Sequence, residues 1–212
     1  METIERPNRK KEQGAETKRK IYDCAKILFT QQDPADVSVD AIVIAAGVSK
    51  GTFYVHYESK DALIASLLSD SVTNLDLDYK SFLFSLPPGM SAPDTLLRLI
   101  EKICDVLVDT IGYETMGTIY KLHLTRTVDT QSAVSYNREL YRLFSEVLQT
   151  GIERCEFATV LPIDILAKHL VMAIRGLTYE WCIRYPDFDL KENARLHFQT
   201  ILTGLQIRDT KS

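Results

Sequence analysis

Along most of this chain the apolar side chains recur at spacings of three and four, and the residues that interrupt helices are few and bunched. Glycine (9) and proline (7) are scarce among 212 residues. They gather at Asp33-Pro34, Gly47, Pro87-Pro88-Gly89 with Pro93, Gly112, the stretch from Ala158 to Pro162, and Pro186-Asp187. Breakers placed this way read as punctuation between long helices. Strict apolar/polar alternation over strand lengths is rare, so the pattern predicts an all-α protein.

The composition, 45% hydrophobic and 25% charged, is that of a globular chain able to remove about 70% of its unfolded surface from water without a disulfide or structural metal. Cys24, Cys104, Cys155 and Cys182 stand 80, 51 and 27 residues apart, without the close pairs of zinc or redox motifs. They read as reduced thiols. The first 20 residues are polar and charged, and no run of 18 apolar residues occurs, which predicts no membrane partner and a reducing cytoplasmic setting. The net charge of −4 gives no global reason to bind a polyanion, so any affinity for nucleic acid has to be local.

The spacing of Ile21, Ala25, Leu28 and Phe29 predicts a first helix over 17–31. Ser38 suits the N-cap of a short second helix, with Asp40 favouring its positive end and Gly47 stopping it. Ser49 opens a third short helix over 50–57, and Ser59 a long fourth helix reaching about residue 80. Asp94 is read as the cap of the next helix. Further helices are expected over 114–127, 131–157, 163–185 and 190–207.

Two very short helices around Ala46-Gly47-Val48-Ser49 cannot support themselves. Ile42, Ala46 and Val48 supply a seam against Leu28 and Phe29, and the small residues at 45 and 46 permit a close turn. This is the layout of a helix-turn-helix, whose second helix enters the major groove. Here the chain resembles the TetR family of bacterial transcription regulators. The resemblance is carried by the segment from Val39 through Ala46-Gly47-Val48-Ser49-Lys50-Gly51-Thr52-Phe53-Tyr54 and on to Lys60-Asp61-Ala62-Leu63, and extends over about 17–68. It implies an N-terminal three-helix helix-turn-helix DNA-binding domain over 1–68, and a C-terminal helical domain over 69–212 for effector binding and dimerisation. The protein is then a homodimeric regulator, usually a repressor, of a palindromic DNA operator, released by a small-molecule effector whose identity is unknown.

Carried over position by position, the family's contacts with DNA fall on Ser38, Ser49, Lys50, Gly51, Thr52 and Tyr54, with His56 and Lys60 placed to grip the backbone. The residue types suit these tasks: short hydroxyls reach phosphates and base edges, glycine admits a close backbone, and a tyrosine offers both a phenol and a ring. Ile44 departs from the polar or basic residue common at its place, and Tyr57 stands for a common phenylalanine. From Arg6 to Lys26 the chain carries +5, while 38–60 is neutral. Binding is therefore expected to lean on the basic arm and to depend steeply on salt.

In the C-terminal part Tyr113, Tyr120, His123, Tyr136, Arg175 and Tyr179, with Trp181, are amphipathic groups among apolar neighbours and are candidates for an effector pocket or for plain core packing. Arg175 is the most suggestive, since a cation in an apolar helix needs an anion. Leu166, Leu170, Ala173, Ile174, Leu177, Leu196, Ile201, Leu202 and Leu205 give the last two helices faces suited to a four-helix dimer interface or to an intrachain core. No catalytic Ser-His-Asp spacing, phosphate loop or metal motif is present, so neither enzyme activity nor a cofactor is expected. The competing readings are a small helical hydrolase and an adaptor whose helix-turn-helix contacts only protein.

Overall fold

The computed structural model describes residues 9–159 and 161–206. Among them the chain is helical throughout: α1 (Arg9–Gln31), α2 (Val39–Ala46), α3 (Lys50–His56), α4 (Lys60–Ser85), α5 (Ala92–Asp105), α6 (Tyr113–Thr125), α7 (Gln131–Val134), α8 (Glu139–Glu153), α9 (Ile163–Arg184) and α10 (Leu190–Leu205). A π-helical segment, Val106–Ile111, continues α5. The one β-type pairing among the described residues is an isolated bridge between Phe157 and Gln206. No described helix is long and apolar enough to cross a membrane.

Two compact units result. Among the described residues, one contains those up to Asp70 together with Arg126–Thr130, and the other contains Ser71–Thr125 and those from Gln131 onward. The first unit has its own core of Ile21, Ala25, Val37, Ile42, Ala46, Phe53 and Leu63, joined by the partly buried Leu28, Phe29 and Val48. The seam expected between α1 and α2 is thus present, and Phe53 of α3 closes it. The core of the second unit is built from α5, α8, α9 and α10, with Leu96, Leu99, Phe144, Leu148, Leu170 and Phe198 at its centre.

Several boundaries differ from those read in the sequence. α1 begins eight residues before Thr17, and α5 is capped by Ser91, whose Oγ accepts from the Asp94 amide at 3.2 Å. The expected single helix over 131–157 is two helices. Between them the Ser135 hydroxyl accepts from the Asn137 amide at 3.1 Å, and Arg138 is extended. The cause is distant in sequence: Asp76, 4% exposed on α4, binds Arg138 through Nε at 2.9 and 3.0 Å and Nη2 at 2.7 Å. Its Oδ2 also accepts from the Leu140 amide at 3.4 Å. The carboxylate therefore caps α8 in place of a local side chain, satisfying an amide the helix itself leaves unpaired. The last helix ends at Leu205, and Ile207 lies outside the described residues.

Candidate nucleic-acid interface and effector site

The helix-turn-helix is set by three local devices. Ser38 Oγ accepts from the Ala41 amide at 3.1 Å and opens α2. Gly47 closes it in the left-handed conformation, φ 62°, where an L side chain would be strained. Its amide bonds Ile44 O at 3.1 Å and the Val48 amide bonds Val43 O at 3.0 Å, which ties off the helix end. Two residues later Ser49 Oγ accepts from the Thr52 amide at 3.1 Å and opens α3. Each serine cap is worth about 1 kcal/mol.

α3 is anchored by one buried residue and shows most of the others. Phe53 is fully buried, an anchor worth about 1.5–3 kcal/mol. Lys50, Gly51, Tyr54 and Val55 are exposed and Thr52 half so. The Tyr54 ring stands edge-on to Phe53 at 5.3 Å, which fixes the phenol at the rim of the anchor. A Cβ added to Gly51 would meet only Ser49 Oγ, at an ordinary 3.8 Å. Nothing within the protein requires glycine there.

The expected site residues do not all fare alike. Ser38 and Ser49 each spend acceptor capacity on a cap, and the Ser49 and Thr52 hydroxyls lie 2.8 Å apart. Lys50 pairs with Asp40 of α2 at 2.9 Å, and that hydrogen bond raises its pKa. His56 is half-buried and turned towards α1, its Cε1 4.0 Å from where a Gly14 Cβ would stand. Lys60 is engaged within the protein: Nζ donates to the carbonyls of Pro34 (2.7 Å), Ala35 (3.2 Å) and Val37 (2.9 Å). An ammonium has three hydrogens, so this one clamps the loop before α2 instead of reaching outward. Sequence reasoning did not single out Val55, which is 79% exposed, as is Ile44. The signal was available, because 51, 52 and 55 share a helical face once Phe53 is assigned inward.

Of the basic arm, Arg6 lies outside the described residues, as do the side chains of Arg9 and Lys10. Lys11, Lys18, Arg19, Lys20 and Lys26 are exposed on α1. Lys20 Nζ would sit 3.6 Å from a Gly47 Cβ, which brings a positive charge to the turn itself.

Residues 21–67 match the family model for bacterial regulatory proteins of the tetR family. The chain is 31% identical over 175 residues to the HTH-type transcriptional regulator SrpR of Pseudomonas putida, covering 79% of this chain and 76% of that protein. To the HTH-type transcriptional regulator AcrR of Shigella flexneri it is 29% identical over 202 residues, covering 91% and 90%. The chain belongs to the tetR family of bacterial regulatory proteins. It is a helix-turn-helix DNA-binding transcriptional regulator. The fold is also that of Thermus thermophilus FadR, a TetR-family repressor solved with lauroyl-CoA, at 20% identity and a TM-score of 0.67 over 92% of this chain and 98% of that one.

In the C-terminal unit of this tetR-family chain, the residues considered for an effector fall into separate groups. Tyr120 and Tyr179 stand edge-on at 5.7 Å, and the Tyr120 hydroxyl donates to Arg175 O at 3.0 Å. Burial pushes the Tyr120 phenol up to about 12. Arg175 Cζ lies 5.7 Å from the centre of the Tyr141 ring, and Tyr136 meets the same ring edge-on at 5.2 Å. Tyr141 therefore links residues that the sequence suggested singly, yet it was not among them. Tyr113 instead stacks on Tyr185 at 3.7 Å, His123 is half-buried on α6, and Trp181 is a core residue. Leu166, Leu170, Ile174 and Leu202 are also core residues and not interface, because α9 and α10 turn these faces onto α5 and α8. The large apolar side chains those helices expose are Met172, Tyr179 and Ile183 on α9 and Leu196 on α10, with Gly176 exposed between the first two.

Proposed function

We propose that the protein acts as a homodimer that sets its two α3 helices in successive major grooves of a near-palindromic operator, about 34–36 Å apart, as a repressor. The observation that carries this reading is the division of labour on α3, where Phe53 holds the helix while Lys50, Gly51, Thr52, Tyr54 and Val55 are offered outward. Contacts with phosphate come from Ser38, Ser49, Lys50 and Thr52, and Tyr54 reads or braces a base edge. Lys50 reaches phosphate by exchanging Asp40 for it, which an exposed pair permits because such pairs are worth at most about 1 kcal/mol. His56 serves to seat α3 on α1.

The second copy joins through the exposed face of α9 and α10. Met172, Gly176, Tyr179 and Ile183 recur at spacings of four, three and four, a stripe fit for helix packing. A Cβ at Gly176 or Gly204 would meet nothing within 4 Å, leaving room for a partner backbone. A small molecule entering the C-terminal unit lowers operator affinity, with a coupling of about 1–3 kcal/mol. The lauroyl-CoA held by Thermus FadR supports a ligand role for this fold. Selection from random duplexes tests the whole reading: enrichment of one symmetric site bound by two copies supports it. Absence of enrichment at low salt favours an adaptor that uses its helix-turn-helix on protein.

A further inference from the structure

In the second unit, two arginines converge on one backbone carbonyl. Arg138 Nη1 and Arg175 Nη2 both donate to Ala133 O, at 3.4 and 3.3 Å. Their electrostatic situations differ. Arg138 is neutralised by the bidentate grip of Asp76, whereas the Arg175 guanidinium makes that one hydrogen bond and pairs with no carboxylate among the described residues. The cluster is thus left with one uncompensated positive charge on a half-buried side chain. Close by, Tyr141 is 5% exposed, and its hydroxyl is buried without a hydrogen-bond partner. The Ser132 hydroxyl, next in sequence to Ala133, is buried and unpartnered too. Leaving a buried hydroxyl without a partner is costly, and native interiors seldom keep such groups without use for them.

The chemistry that repairs all three defects is a single anion. A carboxylate takes two parallel N–H donors from a guanidinium fork and still has lone pairs for a phenol and an alcohol. One excess charge matches a monoanion, while a phosphate dianion would find one cation too few, since Arg138 is already spent on Asp76. The flanking rings, Tyr136 edge-on to Tyr141 and Tyr120 edge-on to Tyr179, offer apolar walls for whatever carries the carboxylate.

We propose that Arg175, Tyr141 and Ser132 form the anion-holding end of the effector site, and that the effector is a carboxylic acid on an aromatic or aliphatic body. This deepens, and rests on, the reading that the C-terminal unit takes a small-molecule effector. Benzoate and octanoate, with benzamide and octanamide as uncharged controls, are titrated into the full chain while the fluorescence of Trp181, buried on the same helix as Arg175, is followed. The expected result is saturable binding of at least one acid, about tenfold or more tighter than its amide, and a loss of about tenfold in Arg175→Gln and in Tyr141→Phe. Thermal melts of the unliganded variants establish that they fold, and Tyr141→Phe is expected to be at least as stable as the parent because it removes an orphan hydroxyl. Acids that bind no better than their amides, or folded variants that bind like the parent, overturn the proposal. If the parent selects a symmetric operator but shows no preference for the acids, only the anion site fails. If it selects no operator yet prefers the acids, the regulator reading fails and the anion site stands.

Discussion

Lys60 Nζ lies 2.9 Å from the carbonyl of Val37, the residue immediately before the cap that opens α2. With Pro34 O and Ala35 O also held, the first turn of α4 fixes the loop that delivers the helix-turn-helix. Lys60→Met keeps the stem and removes the three bonds. It is expected to destabilise the N-terminal unit by about 1–3 kcal/mol and to leave the slope of log affinity against log salt unchanged, because no phosphate loses its cation. A melt combined with a salt series separates this from a backbone-gripping lysine, which predicts a slope lower by about one and an unchanged melt.

The Asp76–Arg138 pair is the expensive interaction of the second unit. Asp76→Asn leaves a nearly buried guanidinium unpaired and should cost about 3–5 kcal/mol in urea unfolding. The double change Asp76→Asn with Arg138→Gln should recover a large part of that loss, since the penalty lies in the uncompensated charge. If the losses of the two single variants simply add in the double variant, the pair is not the unit of stability described here.

How much could be read from residues alone follows from the reach of each device. α2 and α3 were legible because Ser38, Gly47 and Ser49 act within three or four residues of themselves. The break before α8 was not, because the carboxylate responsible is 62 residues away on α4. The seat of Lys60 was hidden for the same reason, its acceptors lying 23 to 26 residues upstream. Tyr141 escaped notice because an unsatisfied hydroxyl is a property of the packed state, and a tyrosine among Leu140, Leu143 and Phe144 reads simply as core.

Gly151 has a structural duty that its place inside α8 conceals. An added Cβ would fall within 2.4 Å of Phe157 Cδ2 and 2.7 Å of the Ala92 Cβ, a separation that packed atoms do not tolerate. Gly151→Ala gains up to about 1 kcal/mol in helix propensity against about 1–3 kcal/mol of overpacking. The melting temperature is expected to fall, and pairing the change with Phe157→Leu should restore part of it.

Burial pushes the Cys104 thiol from 9.0 up to about 12, while Cys155 is exposed. The folded state therefore holds the Cys104 proton more tightly than the unfolded chain does. Its contribution to stability is complete below about pH 9 and is lost as pH rises towards 12. At about pH 8 a chromogenic disulfide reagent should modify Cys155 in its fast phase and reach Cys104 only after denaturant is added. Rapid labelling of Cys104 in the native protein would contradict the packing around α5.

Gly51 is the opposite case to Gly151. The protein leaves ordinary space at its missing Cβ, so Gly51→Ala should be neutral or raise stability by up to about 1 kcal/mol, the usual helix gain. If α3 lies against DNA as proposed, the added methyl meets the sugar-phosphate backbone, and operator affinity should fall about tenfold or more, a cost of about 1.4 kcal/mol. Stability and binding then move in opposite directions, which simple loss of folding cannot produce. Binding assays on the selected operator, set beside thermal melts of the same preparation, decide the matter: a variant that is both more stable and equally tight would remove Gly51 from the interface.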